Sequence, residues 1–425
     1  MMNKKTGFIL TLHLLLAVNL LTAQTAYETK VYSGLVKSLR VEVVDELISE
    51  PFIELNGDQL LEVNFDVLSH VEGRYTYEII HCNADWTKSM LSPIEYMDGF
   101  QRMPIEDFAQ AFNTTTHYTN YRLFLPNENI RFKVSGNYVI QVFDEDDPGK
   151  MLLSARFAVY EPLIGIDATI SSNTDISFNR EHQQLSFQLN TQKIPVSFPQ
   201  SELKVFVSNN NRTDNIVTDL QPSIIANNRL TYEHNRSLIF EAGNEYRRIE
   251  FLTHQYNGMN IAQIRYFNPY YHAEVIPDHS RAGQSYLYDQ DQNGRFFVRC
   301  LNCQEPDTEA DYYIVHFTYV SPPIQGVNIY MIGNMYQNIL DENSRMNYNS
   351  ERGQYEKDLL LKQGHYNYQY LMVPNGETKG QLADTEGNFF QTENEYTITV
   401  FHRPFGGRYD RLIGKTTVRN PQNIL

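Results

Sequence analysis

Cysteine, tryptophan and long apolar runs are all scarce in this chain, and each scarcity removes a class of protein. Three cysteines, Cys82, Cys300 and Cys303, are too few for a disulfide-stapled scaffold. With 425 residues, 41% of them hydrophobic, the chain has enough core not to need staples. Cys300-Leu301-Asn302-Cys303 has C-x-x-C spacing, but no second C-x-x-C or H-x-H pair follows to complete a zinc set. The pair follows a strand-like run, Arg295 to Arg299, and precedes a polar loop rather than a helix. A thioredoxin-type motif would sit in a βαβ unit. The spacing therefore reads as a local disulfide or as two unpaired thiols. H-E-x-x-H and G-x-S-x-G are both missing. Gly414-Lys415-Thr416 resembles the end of a phosphate loop, but the glycine such a loop requires falls at Tyr409 and no helix follows. These absences predict no enzyme activity, no catalytic metal and no bound cofactor.

Positive charge is also in short supply, with 35 Lys and Arg against 51 Asp and Glu and a formal net charge of −16. Nucleic acid is excluded as a partner, because affinity for it comes from cations that neutralise phosphates. General attraction to anionic lipid is excluded on the same ground. The N-terminus departs from this pattern. Lys4 and Lys5 precede a mostly apolar stretch from Phe8 to Leu21, and Leu21-Thr22-Ala23-Gln24 supplies a small residue for cleavage. The stretch is shorter than the ~20 residues a span needs. It reads as a secretory signal peptide over residues 1–23, which directs export to the cell envelope. Its removal takes away Lys4 and Lys5 and no acid, lowering the charge from −16 to −18. No later run is long and apolar enough to cross a membrane, so direct membrane insertion is not expected.

What is abundant is the aromatic side chain, with 29 Tyr and 24 Phe beside a single Trp. Such side chains favour strands, because they pack well on a pleated, half-buried surface. Period-two alternation runs through Leu39, Val41 and Val43, through Leu61, Val63, Phe65 and Val67, through Tyr75, Tyr77 and Ile79, and through Tyr138, Ile140 and Val142. Alternation of this kind puts one face on a core and the other in water. Asp144-Glu145-Asp146-Asp147-Pro148-Gly149 reads as a hairpin turn between two strands. The best helical stretch, Pro104 to Phe112, is short, and its second half fits a strand nearly as well. The fold class is therefore all-β with little helix. The length and breaks in composition near residues 161 and 310 predict three immunoglobulin-like or early-set β-sandwich domains in tandem, at 24–160, 161–310 and 311–425. Pro195, Pro199 and Pro222 mark edge strands and bent connections in the middle block.

The densest polar cluster is His81-Cys82-Asn83-Ala84-Asp85-Trp86. On a strand His81, Asn83 and Asp85 share a face, as in a catalytic constellation. The reading preferred here is a strand end, with Asn83 and Asp85 bonding the turning backbone and Trp86 folded on the sandwich rim. The third block resembles the early-set sandwich of starch- and glycogen-binding modules. The resemblance rests on Val327, Ile329 and Met331 before Gly333, and on the Gly353 to Leu359 and Lys362 to Tyr370 pair. Those modules stack sugars on exposed tryptophans, which this block lacks, although tyrosine can also stack. A periplasmic carbohydrate-binding protein is thus the alternative function.

Several stretches together resemble one family, the plug protein of the type IX secretion system. They are His81 to Trp86, Glu95-Tyr96-Met97-Asp98-Gly99-Phe100, Gly136-Asn137-Tyr138-Val139-Ile140, Glu245-Tyr246-Arg247-Arg248, Asp291-Gln292-Asn293-Gly294 and the Gly353 to Tyr370 pattern. One departure is Tyr266-Phe267-Asn268-Pro269-Tyr270, where the family leads one to expect an arginine before the proline. The resemblance implies a periplasmic protein, monomeric within a hetero-complex. Such a protein caps the periplasmic mouth of the large outer-membrane translocon barrel while its shuttle partner is absent. Asp85, Trp86, Tyr96 and Phe100 are the partner-contacting candidates in these stretches. Arg408 and Arg411 join them from a basic, glycine-punctuated tail that also holds Arg403, Lys415, Arg419, Phe401, Phe405 and Tyr409.

Overall fold

The computed structural model of the protein describes residues 25–46 and 49–420. The leader expected at 1–23 lies outside the described residues. Strands dominate, and the α-helices among the described residues are three single turns, Pro93–Tyr96, Pro199–Glu202 and Pro306–Glu309. Each begins with proline, whose missing N–H is no loss in a first helical turn, and each returns to extended backbone at its C-cap. The stretch from Pro104 to Phe112 is not helical. It holds the strand Asp107–Gln110, which pairs with Thr119–Leu125 and thereby satisfies its backbone across a sheet.

The first packing unit is a sandwich. One sheet runs in the order Val36–Val43, Leu61–Val67, Thr119–Leu125, Asp107–Gln110. The other runs Lys30–Val31, Met151–Tyr160, Gly136–Asp144, Tyr75–Cys82, Met103–Pro104, with Phe52–Glu54 parallel to Met151–Tyr160. The alternating sets Leu61, Val63, Phe65, Val67 and Tyr138, Ile140, Val142 meet in its core, all nearly free of solvent. Each such side chain contributes roughly 1.5–3 kcal/mol by leaving water. A bulge at Ser38, with φ of 53°, shifts the register between Lys37 and Arg40, so that Val36 and Leu39 both turn inward. The acidic hairpin turn stands where expected, between Gly136–Asp144 and Met151–Tyr160.

Beyond residue 161 the sheets do not divide where the composition does. Gly165–Ser171, His182–Asn190, Ile224–Ala226, Arg229–Tyr232 and Ile239–Glu241 form one sheet. The sheet opposite it is Leu203–Asn209 paired to Glu395–His402 and Arg411–Arg419. Their shared core combines Leu185, Phe187 and Leu230 with Tyr396, Ile398, Val400 and Ile413. The last strands of the chain thus complete the second unit, and the third is inserted within it. The third unit holds Arg247–Phe251, Phe296–Val298, Val327–Ile332 and Gly364–Pro374 on one side. On the other it holds Ile261–Phe267, Tyr270–Val275, Tyr312–Val320, Gln354–Lys362 and Asn347–Asn349. The expected boundary near 310 is corrected accordingly. The polar, acidic stretch there is a connection packed against the first unit, so its composition reflects a seam. Pro195 and Pro222 lie in connections outside strands, and Pro199 opens a helical turn.

Arg411 is likewise not in a tail. It opens a paired strand, and residues 403–410 form the loop of a hairpin between Glu395–His402 and Arg411–Arg419. Cys300 and Cys303 form a local disulfide, and Cys82 is free and buried.

Candidate functional site

Parts of the family-like stretches, Asn83 and Ala84, Glu95 and Lys362, lie at the seams between units. At the first seam the hairpin loop 403–410 docks against the end of Tyr75–Cys82. Asp410, fully buried, accepts a hydrogen bond from the Ala84 amide at 2.9 Å and another from Lys204 at 3.1 Å. It also forms an ion pair with Arg403 at 2.8 Å. Arg403 donates to Asn83 Oδ1 at 2.7 Å. Asn137 donates to the carbonyls of Asn83 and Ala84, which fixes the turn from below. Beneath these polar contacts Ala84, Ala158, Phe401 and Leu412 form a small apolar core.

His81 is buried in this seam as a neutral ring. Its Nδ1 accepts from Ser89 at 2.8 Å and its Nε2 donates to the Ser135 carbonyl at 3.3 Å. Burial pushes its pKa down to about 4, against the opposing pull of the Ser135 bond and Asp410. Gly136 has φ of 148°, and a Cβ there would stand 2.5 Å from His81 Nε2, which accounts for glycine at that point. Asp85 bonds the amide and hydroxyl of Thr87 at 3.1 and 2.6 Å and faces solvent. His81 and Asp85 share no hydrogen bond, so the apparent acid–base pair is two separate structural contacts.

The remaining partner-contacting candidates divide by exposure. Trp86 is half-buried with φ of 65°, and the Arg156 guanidinium lies 4.4 Å from its ring centroid. Tyr96 is buried and donates to the Ile79 carbonyl at 2.8 Å, so it serves the core and offers no contact surface. Arg408 pairs with Glu95 at 2.7 Å and Arg411 with Glu161 at 2.8 Å, both across the seam to the first unit. Phe100 is exposed, as are Ile94 beside Glu95 and Phe405 at the hairpin tip, which is wholly solvent-facing. Sequence reasoning missed Ile94, and it missed Asp410 as the charge that seats the hairpin. Pro404-Phe405-Gly406-Gly407 carries the signal for a tight hairpin tip within the stretch whose composition suggests a basic tail.

The second seam joins the first and third units through buried charge. Lys362 Nζ lies 2.6 Å from Asp66, and 1% and 0% of the two side chains are exposed. Asp66 also accepts from Tyr312 at 2.6 Å and Asn120 at 2.8 Å. Lys362 sits 4.2 Å from the centroid of the Tyr118 ring. Asp307 pairs with Arg40 and accepts from Asn64 at 3.0 Å, while Asp311 caps the amides of Thr115 and Thr116. The third seam, between the third and second units, is bridged by Arg295 and Glu395 at 2.7 Å, and inside the third unit Glu245 to Arg248 and Asp291 to Gly294 anchor a further buried network. Arg247 bridges Asp278 at 2.7 Å and Glu386 at 3.0 Å, Arg281 reaches Glu386 at 2.7 Å, and Asp291 accepts from the Tyr246 amide. Burial raises the Glu386 carboxyl, but Arg247 and Arg281 outweigh it and hold the pKa below its ordinary value. Where the three units meet lies a cavity of about 760 Å³, lined by Arg40, Trp86, Arg156, Phe206, Arg295 and Phe401 among others. Among the described residues no group of three or more ligating side chains is arranged to hold a metal ion.

A family model described as the type 9 secretion system plug protein 1st domain matches residues 36–161, which covers the first unit. The chain is also similar to a crystal structure of a hypothetical protein from Parabacteroides merdae ATCC 43184. The two are 55% identical with a TM-score of 0.93, over 93% of this chain and 100% of that one. No curated protein matches the chain. With its first unit matched by that family model, the chain belongs to the type 9 secretion system plug proteins.

Proposed function

We propose that the protein is a non-catalytic stopper that binds the periplasmic mouth of the type IX translocon barrel and seals it while the shuttle partner is absent. The observation that supports this reading is the seam architecture. The units are tied by buried ion pairs and by returning strands, with Lys362–Asp66 and Arg295–Glu395 at the centre. A seal over a wide pore must resist deformation, and such seams resist it better than flexible linkers. The described residues contain no helix long and apolar enough to cross a membrane. Export to the periplasm rests on the leader at 1–23, and the protein acts as one copy in a hetero-complex. The contact surface is the rim of the first seam, where Ile94, Phe100 and Phe405 stand out beside Arg408. Exposed aromatics with an arginine are frequent anchors at interface centres.

Deleting the gene tests the reading. The outer membrane should become permeable to large antibiotics while secretion persists at least in part. An intact permeability barrier in the deletion strain would sink the stopper. Phe405→Asp in the full chain should abolish copurification with the barrel without lowering the melting temperature.

A further inference from the structure

The third unit carries a chain of titratable side chains on three neighbouring strands, far apart in sequence. His272 comes from Tyr270–Val275, His316 from Tyr312–Val320 and Asp358 from Gln354–Lys362. Val315 and Phe317 turn into the core, so His316 between them faces outward. His272 Nδ1 stands 2.8 Å from His316 Nε2, and His316 Nδ1 stands 2.7 Å from Asp358 Oδ1. The two rings are 15° from parallel with centroids 5.1 Å apart.

An ionised carboxylate only accepts, so His316 Nδ1 carries the hydrogen and its Nε2 is directed at His272. Two imidazole nitrogens thus face one another across a gap that one proton occupies. An ion at about 2.0–2.1 Å from both nitrogens lies off the line that joins them, so binding turns the two rings out of their present end-to-end contact. Asp358 supplies the outer carboxylate that such sites use to fix a histidine ring and raise its basicity. Glu274 is exposed and is the ladder partner of His316 on the parallel strand, which puts a carboxylate on the same face. Both imidazoles are within reach of solvent, since neither is fully buried.

We propose that His272 and His316 bind one divalent late-transition ion, Cu²⁺ or Zn²⁺, with water completing its shell and Asp358 holding the His316 ring. Imidazole suits both ions, and the general affinity order makes Cu²⁺ the tighter. On binding, the proton between the rings leaves the gap. In a neutral pair it moves to His272 Nε2, and in a singly charged pair it passes to solvent. The sequence concealed the site because its two ligands are 44 residues apart, with Asp358 a further 42 along, in no ligand-spacing motif.

The test uses the full mature chain, stripped with chelator and titrated with CuCl₂ by calorimetry and electron paramagnetic resonance. A single Cu²⁺ with nitrogen splitting from two imidazoles is expected. Affinity should fall by at least about tenfold in His272→Gln and in His316→Gln, and by about tenfold in Asp358→Asn. His234→Ala, in the second unit where its ring meets Asp175, should bind as the parent does. Melting temperatures keep loss of binding separate from loss of fold. Unchanged binding in the His272→Gln/His316→Gln double variant overturns the site, as does a spectrum with one nitrogen or none. This outcome is independent of the permeability assay.

Discussion

At the seam with the third unit Lys362 meets Asp66 with 1% and 0% of the side chains exposed, whereas at the hairpin seam Arg408 meets Glu95 with 50% and 38% exposed. Both are short ion pairs, yet their consequences differ. The buried pair has left water, so each partner depends on the other and on the bonds from Tyr312 and Asn120. The exposed pair is screened, and each partner loses little when the other goes. The hairpin seam therefore holds through buried Asp410 inside and leaves charged and aromatic groups at its rim available to a partner.

The largest effect should come from breaking the buried pair on one side. Lys362→Met leaves Asp66 charged in the interior and should lower the unfolding free energy by about 3–5 kcal/mol, read by chemical denaturation. Asp66→Asn added to it should recover much of that loss, because no unpaired charge then remains. Trp86→Ala should cost about 2 kcal/mol, below the ~3–5 of a fully buried ring, because the indole is half-exposed and keeps one face for Arg156. A loss as large as a core ring would show that the hairpin seam is as dry as the other.

Arg408→Glu and Arg411→Glu should leave the melting temperature unchanged for the first and lower it slightly for the second, whose partner Glu161 is more buried. Loss of translocon copurification with normal folding would assign the rim to the interface, and unchanged copurification would remove it. The smallest effect concerns Glu95, whose pKa is lowered to about 2 first by its bonds from the Ser92 amide and hydroxyl and then by Arg408. A depressed carboxylate contributes stability that is present above its unfolded pKa near 4.3 and is lost as pH falls through about 2. Arg408→Ala should leave much of the depression in place in an NMR titration, because the Ser92 amide and hydroxyl still donate to Glu95.

How much of this was legible depended on range. The inward residues of Leu61–Val67 and Gly136–Asp144 were read correctly, because period two is a local property of an extended chain. The same alternation predicted water for Asn64 and Asp66, and both are buried. Nothing on that strand announces that a second sandwich will cover its outer face. Tyr96 was assigned to a partner for a related reason, since an aromatic residue in a polar stretch looks available until the core that receives it is known.

By itself the sequence determined the strand class, the turn at Asp144 to Gly149, the family's marks and the scarcity of any local catalytic motif. These depend on neighbours a few residues apart, where sterics and side-chain alternation decide the outcome. Only the tertiary structure decided that the final strands complete the second unit, that Lys362 finds Asp66, and that His272 and His316 face one another. Those pairings join residues brought together by sheet order, and sheet order is chosen by burying apolar faces across the whole chain, a sum no local window contains.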